Sequence, residues 1–105
     1  MADTLSRIVG PVNMGNGTTT IFTGTAAHRY SFRGIRVVNN SAGSITFKLG
    51  IGGVTDALLI VHEVALASKA TYYDSDLVVL SGTETLQANT SATGLTMTVS
   101  GVDQT

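Results

Sequence analysis

The 105 residues amount to one ordinary domain, too few for two separate cores. The absence of cysteine excludes disulfides and thiolate metal sites, and it selects no redox compartment. Six basic against seven acidic residues give a net charge of −1, so the basic footprint expected of a nucleic-acid binder is missing.

Only 12% of the residues are charged, where a soluble domain averages about 25%. Thr, Ser, Gly and Asn make up the polar remainder. A free monomer usually stays soluble through mixed surface charge, so a charge-poor, Thr-rich exterior points to a surface that faces other protein. The start, MADTLSR, carries an acid and lacks an apolar run, and no secretion signal is expected from it. The longest aliphatic run, Ala57 to Val61, ends at His62 and is far too short to span a bilayer.

The first fourteen residues read as an extended N-terminal arm or an edge strand, because the lone Pro11 suits either. An arm would be dispensable for folding and needed for assembly, by pairing with a neighbour's exposed sheet edge. The sandwich proper is then residues 15–105. Turn signals follow at short intervals: Gly15-Asn16-Gly17, Asn39-Asn40-Ser41, Gly52-Gly53, Ser81-Gly82 and Ser91-Ala92-Thr93-Gly94. Runs rich in Val, Ile, Thr, Phe and Tyr lie between them. Strands are predicted over 5–12, 18–23, 28–39, 44–51, 57–64, 70–73, 76–80, 84–89 and 94–101.

Within 28–39 the alternation changes phase. Tyr30 and Phe32 share one parity, Ile35 and Val37 the other, and Gly34 stands at the change. A strand glycine at a phase slip predicts a β-bulge that turns both pairs onto one core. Over 44–51, Ile45, Phe47, Leu49 and Ile51 alternate with Ser44, Thr46, Lys48 and Gly50, the period of a half-buried strand. The segment DALLIVHEVALASK is ambiguous. Asp56 could cap a helix with Leu58, Val61, His62, Ala65 and Leu66 at helical spacing, whereas Leu58, Ile60 and Val64 also fit a strand. A strand over 57–64 is preferred. With strands throughout, the expected fold is all-β, a single antiparallel β-sandwich of jelly-roll type.

One phrase is written nearly twice. NNSAGSITFKLG at 39–50 aligns without gaps on NTSATGLTMTVS at 89–100. Both read as a strand end, a small-residue turn and an outgoing strand. As two hairpin corners, they would set Ile45-Phe47-Leu49 and Leu95-Met97-Val99 on matching sides of one core.

Chemistry is sparse. His62-Glu63 lacks the second histidine of H-E-x-x-H, and His28 is the other histidine, so no ligand spacing supports a metal. Asp74-Ser75-Asp76 lacks the further ligands, glycine and closing glutamate of a calcium loop and reads as a polar turn. The three Asn-x-Ser/Thr sites, at Asn16, Asn39 and Asn89, coincide with turns. No phosphate-binding loop, nucleophile elbow or cysteine nucleophile occurs. No cofactor and no enzymatic activity are expected. Arg29, Arg33 and Arg36 cluster on one predicted strand. Arginine is favoured at interfaces and binds carboxylates in a fork. With Arg7, Ile8, Val9 and Pro11 of the first segment, these arginines are the candidate assembly contacts.

Three stretches, TLSRIVGPVNMGNGTTTIFTG, YSFRGIRVVNNSAGSITFKLGIG and DLVVLSGTETLQANTSATGLTMTVSGV, resemble a family of small virion structural proteins of tailed bacteriophages, especially those of actinobacteria. The resemblance rests on the arm-like start, the strand ending in VVNNSAG, the LVVLSGTETLQA hairpin and the terminal TVSGV strand. VTDALLIVHEVALASKATYY departs most from the pattern. The resemblance implies a place on the phage particle, made in the bacterial host cytoplasm, with partners in itself and in virion proteins such as the major capsid protein. It implies neither a nucleic-acid nor a membrane partner. An accessory capsid subunit, a decoration or cement protein for which a trimer is the expected oligomer, is the first expectation. A minor tail, tail-tip or neck subunit is the second. A carbohydrate-binding module is a third, disfavoured by the absence of Trp and by only three Tyr.

Overall fold

A computed structural model of the chain describes residues 6–75 and 78–104. Nine strands occur among the described residues: β1 (Ser6–Met14), β2 (Gly17–Thr23), β3 (Arg29–Asn39), β4 (Ile45–Ile51), β5 (Leu59–Leu66), β6 (Thr71–Asp74), β7 (Val78–Ser81), β8 (Thr85–Thr90) and β9 (Leu95–Gln104). A single 3-10 turn, Asp56–Leu58, precedes β5, and no α-helix occurs among the described residues. The ambiguous segment is therefore a strand.

The strands form two antiparallel sheets that pack as a sandwich. One has the order β1-β9-β3-β6, with β7 also paired to β3, and the other the order β2-β8-β4-β5. β6 and β7 pair with successive parts of β3, Ile35–Val38 and Arg29–Phe32, and act as one interrupted edge strand. With β6 and β7 counted as one, eight strands divide between two four-membered layers in the order of a jelly roll.

The inward faces follow the alternation of the sequence. Ile45, Phe47 and Leu49 of the four-stranded sheet are buried, as are Leu95, Met97 and Val99 of the five-stranded sheet. The two apolar triplets thus supply opposite sides of one core. On β3, Tyr30, Phe32, Ile35 and Val37 are all buried, and the register with β9 shifts between Phe32 and Gly34. The extra residue is a bulge, and it leaves Arg33 outside.

Opposite the bulge, Gly101 lies so close to β3 that a Cβ there would collide with the Ser31 carbonyl. Backbone cannot yield as a flexible side chain can. Gly101→Ala should therefore cost about 1–3 kcal/mol, read as a lower urea midpoint with an unchanged slope.

The duplicated phrase is not a pair of hairpin corners. β3 and β4 lie in different sheets, as do β8 and β9, so each copy is an arch that carries the chain from one layer to the other. The arches interlock, since β3 pairs with β9 while β4 pairs with β8. Their loops meet at one end of the sandwich. The Asn40 amide donates to the Gly94 carbonyl at 2.8 Å, and the Ser91 amide to the Thr46 carbonyl at 2.9 Å. The two buried polar residues among those described, Asn39 and Thr90, sit where the arches begin.

Candidate functional site

The residue patterns place all four arginines on one surface. On β3 the inward parity belongs to Tyr30 and Phe32 before the bulge and to Ile35 and Val37 after it, so Arg29, Arg33 and Arg36 project outward and are exposed. Arg7 of β1 stands opposite Ser100 of β9, on the same outer face of the five-stranded sheet. Among the described residues, the carboxylates of this sheet's strands lie elsewhere. Asp103 stands across from buried Tyr30 and binds His28 Nδ1 at 2.8 Å, and Asp74 stands across from buried Ile35. Among the described residues, the close basic–acidic contacts are the His28–Asp103 hydrogen bond and a longer His62–Asp56 contact at 3.7 Å, and no arginine takes part in either.

The middle of this face is a shallow depression of about 240 Å³ lined by Arg33, Gly34, Arg36, Tyr73, Thr98 and Ser100. The bulge builds it. Gly34 is buried and has no side chain, so the Tyr73 ring can lie across it, with its hydroxyl 3.2 Å from where a Cβ would stand. The Arg36 guanidinium lies 5.5 Å from the centre of the Tyr73 ring, a cation–π contact. Thr98 and Ser100 contribute hydroxyl groups, and two guanidinium groups flank them. The chemistry offered is that of a carboxylate receptor: forked donors, neutral hydroxyls and an aromatic wall.

Tyr73 is 57% exposed and Val79 45%, large apolar side chains left in solvent on the edge strands β6 and β7 of this same sheet. Both were missed as candidates from sequence. Tyr72 and Tyr73 are adjacent, and only the register shows that Tyr72 turns in to meet Phe47, ring centroids 5.3 Å apart, while Tyr73 turns out beside Arg36.

The remaining candidates from the first segment divide. Pro11 is exposed, Ile8 is half-buried, and Val9 faces the protein's own core, which withholds its side chain from a neighbour. Over its described part the segment is an edge strand of the five-stranded sheet, hydrogen-bonded to β9 from Ser6 to Met14. Residues 1–5 fall outside the described residues.

His62 and Glu63 both point outward at a break in the β4–β5 register, and Glu63 takes a positive φ of 26°. Among the described residues, no group of three or more His, Cys, Asp or Glu side chains is placed to hold a metal. The acidic turn at 74–76 lies partly outside the described residues. Asn39 is fully buried within its own hydrogen-bond network, and Asn89 donates to Thr18 Oγ1 at 2.9 Å. Both act as structural polar groups. No helix is long and apolar enough to cross a membrane among the described residues.

No protein-family model and no curated protein matches the chain. Among solved structures it is similar to a chain from the Bacillus endospore appendages, which form disulfide-linked pili. That similarity has a TM-score of 0.58 at 14% identity and covers 98% of this chain and 88% of the other. At that identity the likeness is one of fold. A second structure, a pentameric capsid protein isolated from metagenomic phage sequences, aligns with a TM-score of 0.35 at 19% identity. It covers 89% of this chain and 57% of the other, and the score is too low to bear on fold or function.

Proposed function

We propose that the protein is a non-enzymatic structural subunit of a phage particle, an accessory capsid protein that associates with itself and with the shell. The observation that carries this reading is the uneven surface. The exterior is poor in charge, yet all four arginines stand without carboxylate partners, among the described residues, on one outer sheet face beside exposed Tyr73 and Val79. A monomer gains nothing from such a face, whereas an assembled subunit has use for one, because Arg and Tyr are the residues that most often anchor interfaces. The sequence resemblance to phage virion proteins supports a place on the particle.

The fold-level likeness to a pilus chain favours a second reading, in which the same sandwich stacks as a tail or fibre subunit. Lacking cysteine, this chain would do so without disulfides. Copy counting by mass spectrometry of purified particles tests both readings. A capsid accessory role predicts copies comparable to the major shell protein, and a tail role predicts few. Absence from particles would overturn the virion assignment altogether.

A further inference from the structure

We propose that the outer face of the five-stranded sheet is one half of a head-to-tail contact between copies of this chain. In that contact, Arg33 and Arg36 receive carboxylates of a second copy. The proposal rests on the structural-subunit reading above and names the surface that would serve it.

The first argument is that the edges are closed to assembly. Every edge strand is interrupted. β1 breaks register with β9 between Val9 and Val12, around Gly10 and Pro11, and Pro11 has no N–H to offer. β2 breaks register with β8 between Thr20 and Phe22, and β5 with β4 between Phe47 and Leu49. The fourth edge is split into β6 and β7. Bulges, prolines and short edge strands are the devices that stop strand addition. Copies that associate must then meet through faces or ends.

The second argument is charge complementarity. With the four arginines gathered on one face, the rest of the sequence holds two lysines against seven acids. Asp56 and Glu63 are exposed and lie off the arginine face, Asp56 in the 3-10 turn and 3.7 Å from His62, and Glu63 next to His62 on the edge of the other sheet. A second copy therefore brings the charge that the first one lacks. Arginine face against acidic surface is a contact between unlike patches, which builds a ring or an open stack rather than a twofold dimer. The depression formed by Arg33, Arg36, Tyr73, Thr98 and Ser100 supplies the pocket in which a carboxylate would seat.

The test is charge-swap complementation on the full chain, followed by sedimentation velocity at low and high salt, with circular dichroism to verify folding. The wild type should self-associate, less so at high salt. R33E/R36E alone should associate at least roughly 30-fold more weakly. D56R/E63R alone should lose association likewise, and an equimolar mixture of the two variants should regain it. Wild-type-like association by R33E/R36E would overturn the face while leaving the structural-subunit reading intact. A mixture that stays dissociated would overturn the pairing with a second copy's acids. A wild type that is monomeric at every concentration would overturn this proposal together with the self-association on which it rests.

Discussion

Replacing Asn39 with leucine should lower stability by roughly 3 kcal/mol and the melting temperature by about 15 °C, although no apolar packing is removed. Asn39 is fully buried at the end of β3. Its Nδ2 donates to the Leu66 carbonyl at 2.8 Å and to the Gly43 carbonyl at 2.9 Å. Its Oδ1 accepts from the Ser41 amide at 2.9 Å and from the Ser41 hydroxyl at 2.7 Å. One side chain thus fastens the β3–β4 arch internally and ties it to the end of β5. Leucine keeps the branched shape but is bulkier and offers no polar atom, so the Ser41 amide loses its partner and the Leu66 carbonyl keeps only the longer bond from the Ser44 hydroxyl at 3.3 Å. Leaving buried groups unpaired costs about 1–3 kcal/mol apiece. Thr90→Val is the matched control. Thr90 stands at the start of the other arch and makes one such bond, from its hydroxyl to the Gly15 carbonyl at 2.6 Å. It should lose only about 1 kcal/mol. Thermal and urea unfolding of the two variants would check the ratio, and an Asn39→Leu protein as stable as Thr90→Val would contradict the latch.

The duplicated phrase could be read in part for this reason. Its apolar triplets alternate without interruption, and a period of two identifies strand and core face directly. That is why Ile45, Phe47, Leu49, Leu95, Met97 and Val99 were all legible as core. Whether the turn between two strands closes a hairpin or an arch depends on where the strands pair, and those partners are some 50 positions away in sequence. Local residue types carry no record of that choice.

The same limit explains the helical ambiguity over 56–69. Val61, Val64 and Leu66 are the residues of β5 that turn inward. The bulge at His62-Glu63 stretches the first interval to three, which imitates one turn of a helix. The alternation of Leu58, Ile60 and Val64 therefore does not run through: Val64 turns inward, but before the bulge the buried position is Val61 and Leu58 is exposed. At Gly34 the bulge was legible, because a glycine marked the slip. At Glu63 no glycine does, and a glutamate holds the positive φ. The candidate site divides along the same line. The three β3 arginines were visible from their spacing, whereas Arg7 joins them only through the pairing of β1 with β9, and Tyr73 only through the register of β6.

Deleting residues 1–13 should unfold the protein at 25 °C, a stronger outcome than loss of assembly and the reverse of what a dispensable arm would give. β1 pairs along its described length with β9, and Val9 lies in the core with Ile8 and Val12 packed against it. Removing the strand exposes the outer edge of β9 and one flank of the core above Met97 and Val99. Burying a valine is worth about 1.5–3 kcal/mol, and each lost ladder hydrogen bond adds about 0.5–1.5 kcal/mol. The sum is on the order of the 5–15 kcal/mol that holds a whole domain together. A finer cut separates folding from assembly. Deleting only residues 1–5 leaves the described part of β1, Ser6–Met14, in place. Arg7→Glu, on the exposed face of β1, should also leave the fold alone, since surface substitutions usually change stability by less than about 0.5 kcal/mol. If the 1–13 deletion instead gives a cooperative melt and a strand-rich circular dichroism spectrum, β1 is an arm that docks on a finished sandwich. The closing of the sheet by β1 would then belong to assembly rather than to folding.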